Sequence, residues 1–142
     1  MTDIRRLSAR IAVAPQITPD DLAAIAREGF TAVINNRPDG EAPGQPAGAD
    51  IALAAEAANL AYAEIPIGPT GMGMEDVEDC AAILRDATGP VLLFCRSGTR
   101  SANLALLAAA LMGEDTDALV EAGRAHGYDL GPLRATAARL KP

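Results

Sequence analysis

An unbroken apolar run, Val91-Leu92-Leu93-Phe94, passes directly into Cys95-Arg96-Ser97-Gly98-Thr99-Arg100 and then into the Ala/Leu-rich stretch Ser101 to Met112. Four apolar residues in a row, preceded by Gly89-Pro90, suit a strand buried on both faces, as in a parallel sheet. Ser101 to Met112 is apolar on nearly all sides, which predicts a deeply buried helix. A strand, a tight polar turn and a buried helix in succession leave little choice of architecture. The chain must bury a parallel sheet between helices.

The rest of the sequence repeats the alternation. Arg10 to Ala14 reads as a first strand, and Thr18-Pro19-Asp20-Asp21 opens a helix that runs to about Glu28. Thr31 to Asn36 is a second strand, followed by a Pro- and Gly-rich loop from Arg37 to Gly48 and a helix near Asp50 to Asn59. Tyr62 to Ile67 is a third strand, ended by the turn-rich Gly68 to Gly73. A helix from about Met74 to Ala87 carries Val77, Cys80, Ala81 and Leu84 on one face. Asp117 to Ala125 and Pro132 to Leu140 are two closing helices. The expected fold is a three-layer α/β/α domain, a single unit over residues 1–142, around a small, mainly parallel four-stranded sheet.

Only four of the 142 residues are Phe or Tyr, so the core must be packed from Ala, Leu, Ile and Val. The formal charge of −7 and the absence of any basic run argue against a nucleic-acid partner. The longest apolar stretch, Ala102 to Met112, is too short to cross a bilayer. Two cysteines and one histidine make neither a disulfide framework nor a zinc cage. The expectation is a cytoplasmic protein with no metal, no cofactor and no membrane partner, its oligomeric state left open.

Cys95 is the candidate nucleophile. A chain turning tightly between strand and helix points successive N–H groups inward, and the helix N-terminus adds partial positive charge. Gly98 supplies backbone freedom in the turn. Arg96 and Arg100 bring guanidinium groups, while Ser97, Thr99 and Ser101 bring hydroxyls. Such a field favours the thiolate, the reactive form of cysteine. A cysteine serving only as core filler would not explain two arginines, three hydroxyls and a glycine in the six residues after it.

Cys95-Arg96-Ser97-Gly98-Thr99-Arg100-Ser101 resembles the active-site loop of rhodanese-type sulfurtransferases. Three other stretches resemble a different group: Val13 to Leu22, Val33-Ile34-Asn35-Asn36-Arg37-Pro38-Asp39-Gly40-Glu41, and Ala125-His126-Gly127-Tyr128-Asp129-Leu130. They are similar to the bacterial phosphatase-like family that also forms the N-terminal domain of beta-lactamase-hydrolase-like proteins. That resemblance covers almost the whole chain. It implies a fold like that of dual-specificity tyrosine phosphatases, in a family often described as sulfur transferases.

Phosphatases of that fold separate Cys and Arg by five residues, whereas four separate Cys95 from Arg100. A shorter cradle suits a sulfur atom better than a phosphoryl group. A phosphatase also gains from a carboxylic acid beside the leaving oxygen, and Gly68 to Gly73 holds no Asp, Glu or His. Asp39 or Glu41, in the loop after the second strand, are the remaining candidate acids. The expected activity is sulfur transfer through a Cys95 persulfide, from a small anionic donor such as thiosulfate or a glutathione persulfide to a thiol or cyanide acceptor. In it Arg100 stabilises the persulfide, and Arg96 and Arg37 steer the donor. A cysteine-dependent phosphatase and a non-catalytic anion-binding or redox-sensing domain are the alternatives.

The remaining candidates read as structural. Cys80 lies on the apolar face of its helix and is expected to be packed core. His126 precedes Gly127 at a helix end, where it suits the helix dipole. Met72 and Met74 flank Gly73 as an apolar rim or as core packing.

Overall fold

A computed structural model describes residues 2–142. The strands are β1 (Arg5–Arg6), β2 (Ile11–Ala14), β3 (Ala32–Asn35), β4 (Ala61–Glu64) and β5 (Val91–Phe94). They form one sheet in the order β1-β2-β5-β3-β4, with β1 antiparallel to β2 and every other pairing parallel. The sheet thus has five strands rather than the expected four. The extra one is two residues long, too short to show a period of two, and it exists because Arg5 and Arg6 pair with Val13 and Ala12.

The helices are α1 (Leu22–Arg27), α2 (Gly48–Ala57), α3 (Met74–Asp86), α4 (Thr99–Leu111), α5 (Thr116–Ala125) and α6 (Arg134–Leu140). Short 3-10 turns at Pro19–Asp21 and Gly131–Leu133 lead into α1 and α6. Among the described residues no helix is long and apolar enough to cross a membrane.

The strands alternate between two apolar clusters. Val91 and Leu93 of β5, with Ile11, Val13 and Ile34, join the cluster built by α3, α4, α5 and α6. Leu92 and Phe94, with Ala12, Ala14 and Val33, join the one beneath α1 and α2. Both faces of the sheet are therefore covered, which is why β2 and β5 are apolar at every position and β3 at all but Asn35. Cys80 lies in the first cluster beside Val77, Ala81 and Leu84, and burial pushes its thiol up to about 12. It is a core residue. Met72 packs against the same cluster, whereas Met74 is exposed.

Helix α4 starts at Thr99, two residues earlier than the sequence suggested. Arg100 and Ser101 consequently sit in its first turn. With β5 central, the turn into α4 opens where the ends of β2 and β3 also converge: Cys95 N–H donates to Ala14 O at 3.4 Å, and Asn36 N–H donates to Phe94 O at 2.8 Å. Ligands in such folds bind at this edge of the sheet.

Candidate active site

Cys95 directly follows β5 and is fully buried. Gly98 N–H donates to Cys95 Sγ at 3.1 Å, so the loop curls back over the sulfur. Gly98 does so at φ 94°, in the left-handed region that an L side chain rarely enters. Ala102 N–H donates to Gly98 O at 2.8 Å, which starts α4 immediately beyond the turn. Ser97 Oγ accepts from Thr99 N–H at 3.3 Å and donates to Thr99 Oγ1 at 3.0 Å, a hydroxyl-closed turn just before the same helix. Ser97, Thr99 and Arg96 are exposed around the turn, and Arg96 O is fixed by Gln16 N–H at 3.2 Å. Cys95 itself has no solvent-exposed surface beneath this rim.

Arg100 is held by its end. Nη1 donates to Glu41 Oε2 and to Ile67 O, each at 2.7 Å, and Nη2 donates to Glu41 Oε1 at 2.9 Å. Glu41 thereby keeps the Arg100 cation strongly favoured, and the nearby Cys95 adds to it. Three of the five guanidinium hydrogens are used. The Nε–H and one Nη2–H remain on the side edge, a fork suited to bidentate binding of an oxyanion.

Arg37 takes a different place from the one expected. Its side chain is only 5 % exposed, its Nε donates to Glu41 Oε1 at 2.9 Å, and its Nη1 donates to Gln16 Oε1 at 3.0 Å. It stands behind Glu41 instead of facing the cradle. Glu41 accordingly bridges two arginines, and these bonds, Arg100 first, hold its carboxyl down to about 2. Such a group is ionised and acceptor-only, so it is no proton donor at neutral pH. Asp39 points elsewhere: its Oδ1 accepts from Gly48 N–H at 2.9 Å at the start of α2. Neither candidate acid is placed as a general acid.

Ser101 is buried under the loop, where its Oγ donates to Asn36 Oδ1 at 2.7 Å, and Asn36 Nδ2 donates to Ile65 O at 2.9 Å. Its proton is thus directed into the scaffold. Asn36 was not among the residues singled out from sequence, although a second Asn directly after a β-branched strand is a visible signal. Tyr128 likewise stands out in the sequence only as part of the Ala125 to Leu130 stretch. Gly127, at φ 87°, turns the chain back after α5, and Tyr128 N–H donates to Gly123 O at 2.8 Å. The phenol then reaches the loop, donating to Ser97 O at 2.9 Å.

A mainly parallel sheet, a cysteine just past its central strand, and a tight turn with the Gly98 amide on the sulfur, leading into a buried helix with an arginine in its first turn, define a fold of the cysteine-phosphatase type. Tk-PTP shares that fold, with a TM-score of 0.66 over 97 % of this chain and 95 % of its own at 20 % identity. Residues 3–112 match the phosphatase-like domain of beta-lactamase hydrolase-like proteins, and the chain belongs to that family. The beta-lactamase hydrolase-like protein of Xylella fastidiosa is 37 % identical over 126 residues, 88 % of this chain. The chain spans only 29 % of that relative's length. The crystal structure of a candidate phosphatase from Neisseria meningitidis aligns with a TM-score of 0.79 at 30 % identity, covering 97 % of this chain and 98 % of that one.

Proposed function

We propose that the chain is a cysteine-dependent phosphatase-type enzyme, with Cys95 as nucleophile and Arg100 as the anion-holding residue. The observation that carries this reading is the pairing of Gly98 N–H with Cys95 Sγ beside an Arg100 whose side edge is free for an oxyanion. Support also comes from the similarity to the Neisseria protein, which is described as a candidate phosphatase. In the first step Sγ attacks phosphorus, the Sγ–P bond forms and the ester P–O bond breaks, its electron pair leaving with the oxygen. Water then attacks phosphorus, Sγ leaves with its pair, and phosphate and a proton are released. The loop amides and Arg100 take up the charge that develops on the phosphoryl oxygens.

A second reading, sulfane-sulfur transfer, has specific observations in its favour. The loop is one residue shorter than the phosphatase pattern, and both candidate acids are engaged elsewhere. Here Sγ attacks the outer sulfur of thiosulfate, the S–S bond breaks, and sulfite leaves with the pair without needing a proton. A thiol then takes the outer sulfur from the Cys95 persulfide. Hydrolysis of a chromogenic aryl phosphate, measured beside thiosulfate-dependent thiocyanate formation, separates the two. Cys95→Ser should abolish whichever activity is present. Were that substitution to alter neither activity while an oxyanion still raised Tm, a non-catalytic anion-binding domain would be the better description.

A further inference from the structure

We infer that Tyr128, with Arg5 behind it, is a positioning residue for the Cys95 thiolate, acting through the single peptide unit between Ser97 and Gly98. The inference rests on Cys95 being the reactive thiol, but not on which group it transfers. The carbonyl of that peptide, Ser97 O, accepts from Tyr128 Oη–H at 2.9 Å. Its amide, Gly98 N–H, donates to Cys95 Sγ at 3.1 Å. In a trans peptide the carbonyl and the N–H point in opposite directions, so one end faces the phenol and the other the sulfur.

Two consequences follow. A glycine at φ 94° leaves the preceding peptide plane free to flip, and the flipped plane would turn a carbonyl toward the thiolate. Tyr128 binds the carbonyl in the orientation that keeps the N–H inward. The phenol is also packed tightly against this turn: a methyl group added at Gly98 would lie 2.0 Å from Tyr128 Oη.

The chain of bonds extends to a cation. Arg5 Nη1 donates to Tyr128 Oη at 2.6 Å, and Asp3 fixes Arg5 through Nη2 at 2.6 Å and Nε at 3.2 Å. A cation donating to the phenol makes its O–H a stronger donor to Ser97 O, which in turn polarises Gly98 N–H toward the sulfur. Burial holds the phenol protonated, as this role requires. The charged groups around Cys95 are Arg96 of its own loop, Arg100 of α4, Glu41 and Arg37 of the loop after β3, and, through the peptide, Arg5 and Asp3 near β1. The titratable side chain of His126 lies near Asp3.

The test is the rate of Cys95 alkylation by iodoacetamide across pH, for folded protein carrying Cys80→Ala. Tyr128→Phe keeps the ring and removes the hydroxyl; it should slow alkylation at neutral pH about fivefold to tenfold. The rates should converge at alkaline pH, where every thiol is ionised. A merely loosened loop would shift the alkaline plateau instead, and that result overturns the inference. So does a Tyr128→Phe rate within about twofold of the parent at every pH. Arg5→Gln should slow alkylation in the same direction by a smaller factor and add nothing to Tyr128→Phe in the double variant. Should Tyr128→Phe fail to fold, an unchanged rate in Arg5→Gln overturns the inference by itself. Turnover that survives in Cys95→Ser would overturn the enzyme reading and leave this comparison of alkylation rates intact.

Discussion

Glu41 grips Arg100 end-on, one carboxylate oxygen to each terminal nitrogen at 2.7 and 2.9 Å, although the two lie 59 positions apart in sequence. The loop after β3 thus sets the direction of a side chain on α4. The remaining Arg100 donors lie on the edge that an anion would use.

Glu41→Gln should therefore lower kcat/KM by about a hundredfold, the order expected when a catalytic group shifts by about an ångström. The wild type should also lose its stability advantage over Glu41→Gln in acid. With the Glu41 carboxyl at about 2 in the fold against an ordinary 4.5, the ionised form is favoured by folding. The contribution is complete above 4.5, declines as pH falls through that interval, and is gone below about 2. Melting temperatures of the two proteins across this range should converge at the acid end.

With Glu41 bound to two arginines and Asp39 bonded to Gly48 N–H, neither candidate acid is placed to protonate a leaving oxygen. General acid catalysis contributes about 10²–10⁴-fold where it operates. Phosphate hydrolysis should then favour aryl over simple alkyl esters by at least about 10²-fold in kcat/KM. Equal rates for the two ester classes would require a proton donor that the resting geometry does not supply.

Gly98→Ala combines two penalties. A left-handed backbone costs an L residue about 1–2 kcal/mol, and overpacking against Tyr128 Oη typically adds about 1–3 kcal/mol. Urea denaturation should register a loss of that combined order, and activity should fall with it because Gly98 N–H is the donor to Sγ.

Ser101→Ala tests the scaffold beneath the loop. It leaves Asn36 Oδ1, fully buried, without the hydroxyl that donates to it at 2.7 Å. The expected cost is about 1–3 kcal/mol in urea denaturation. A change within about 0.5 kcal/mol would mean that the bond carries little of the loop's support.

Much of the architecture is legible in the sequence because the sheet is buried on both sides, which makes β2 and β5 apolar throughout and β3 apolar up to Asn35. The helical face of Cys80 and the buried character of α4 are equally plain from spacing. Strand β1 is not, because two arginines show no strand pattern and their pairing depends on Val13 and Ala12. The strand expected from Tyr62 to Ile67 reflects real pairing: Ile65 and Ile67 still donate to Asn35 O and Asn36 O beyond the end of β4. Within the site, the strand-to-helix turn at Cys95 is local and hence readable. The roles of Arg37, Glu41 and Tyr128 are not, since each depends on contacts between distant segments. A charged residue beside a site looks the same in sequence whether it faces substrate or, like Arg37, braces another side chain.

The most direct measurement is the intact mass of the protein after brief incubation with an aryl phosphate or with thiosulfate. A single adduct, one phosphoryl group or one sulfur atom, should appear on Cys95 and be absent from Cys95→Ser. Unmodified Cys95 with both donors, together with turnover retained in Cys95→Ser, would contradict the account.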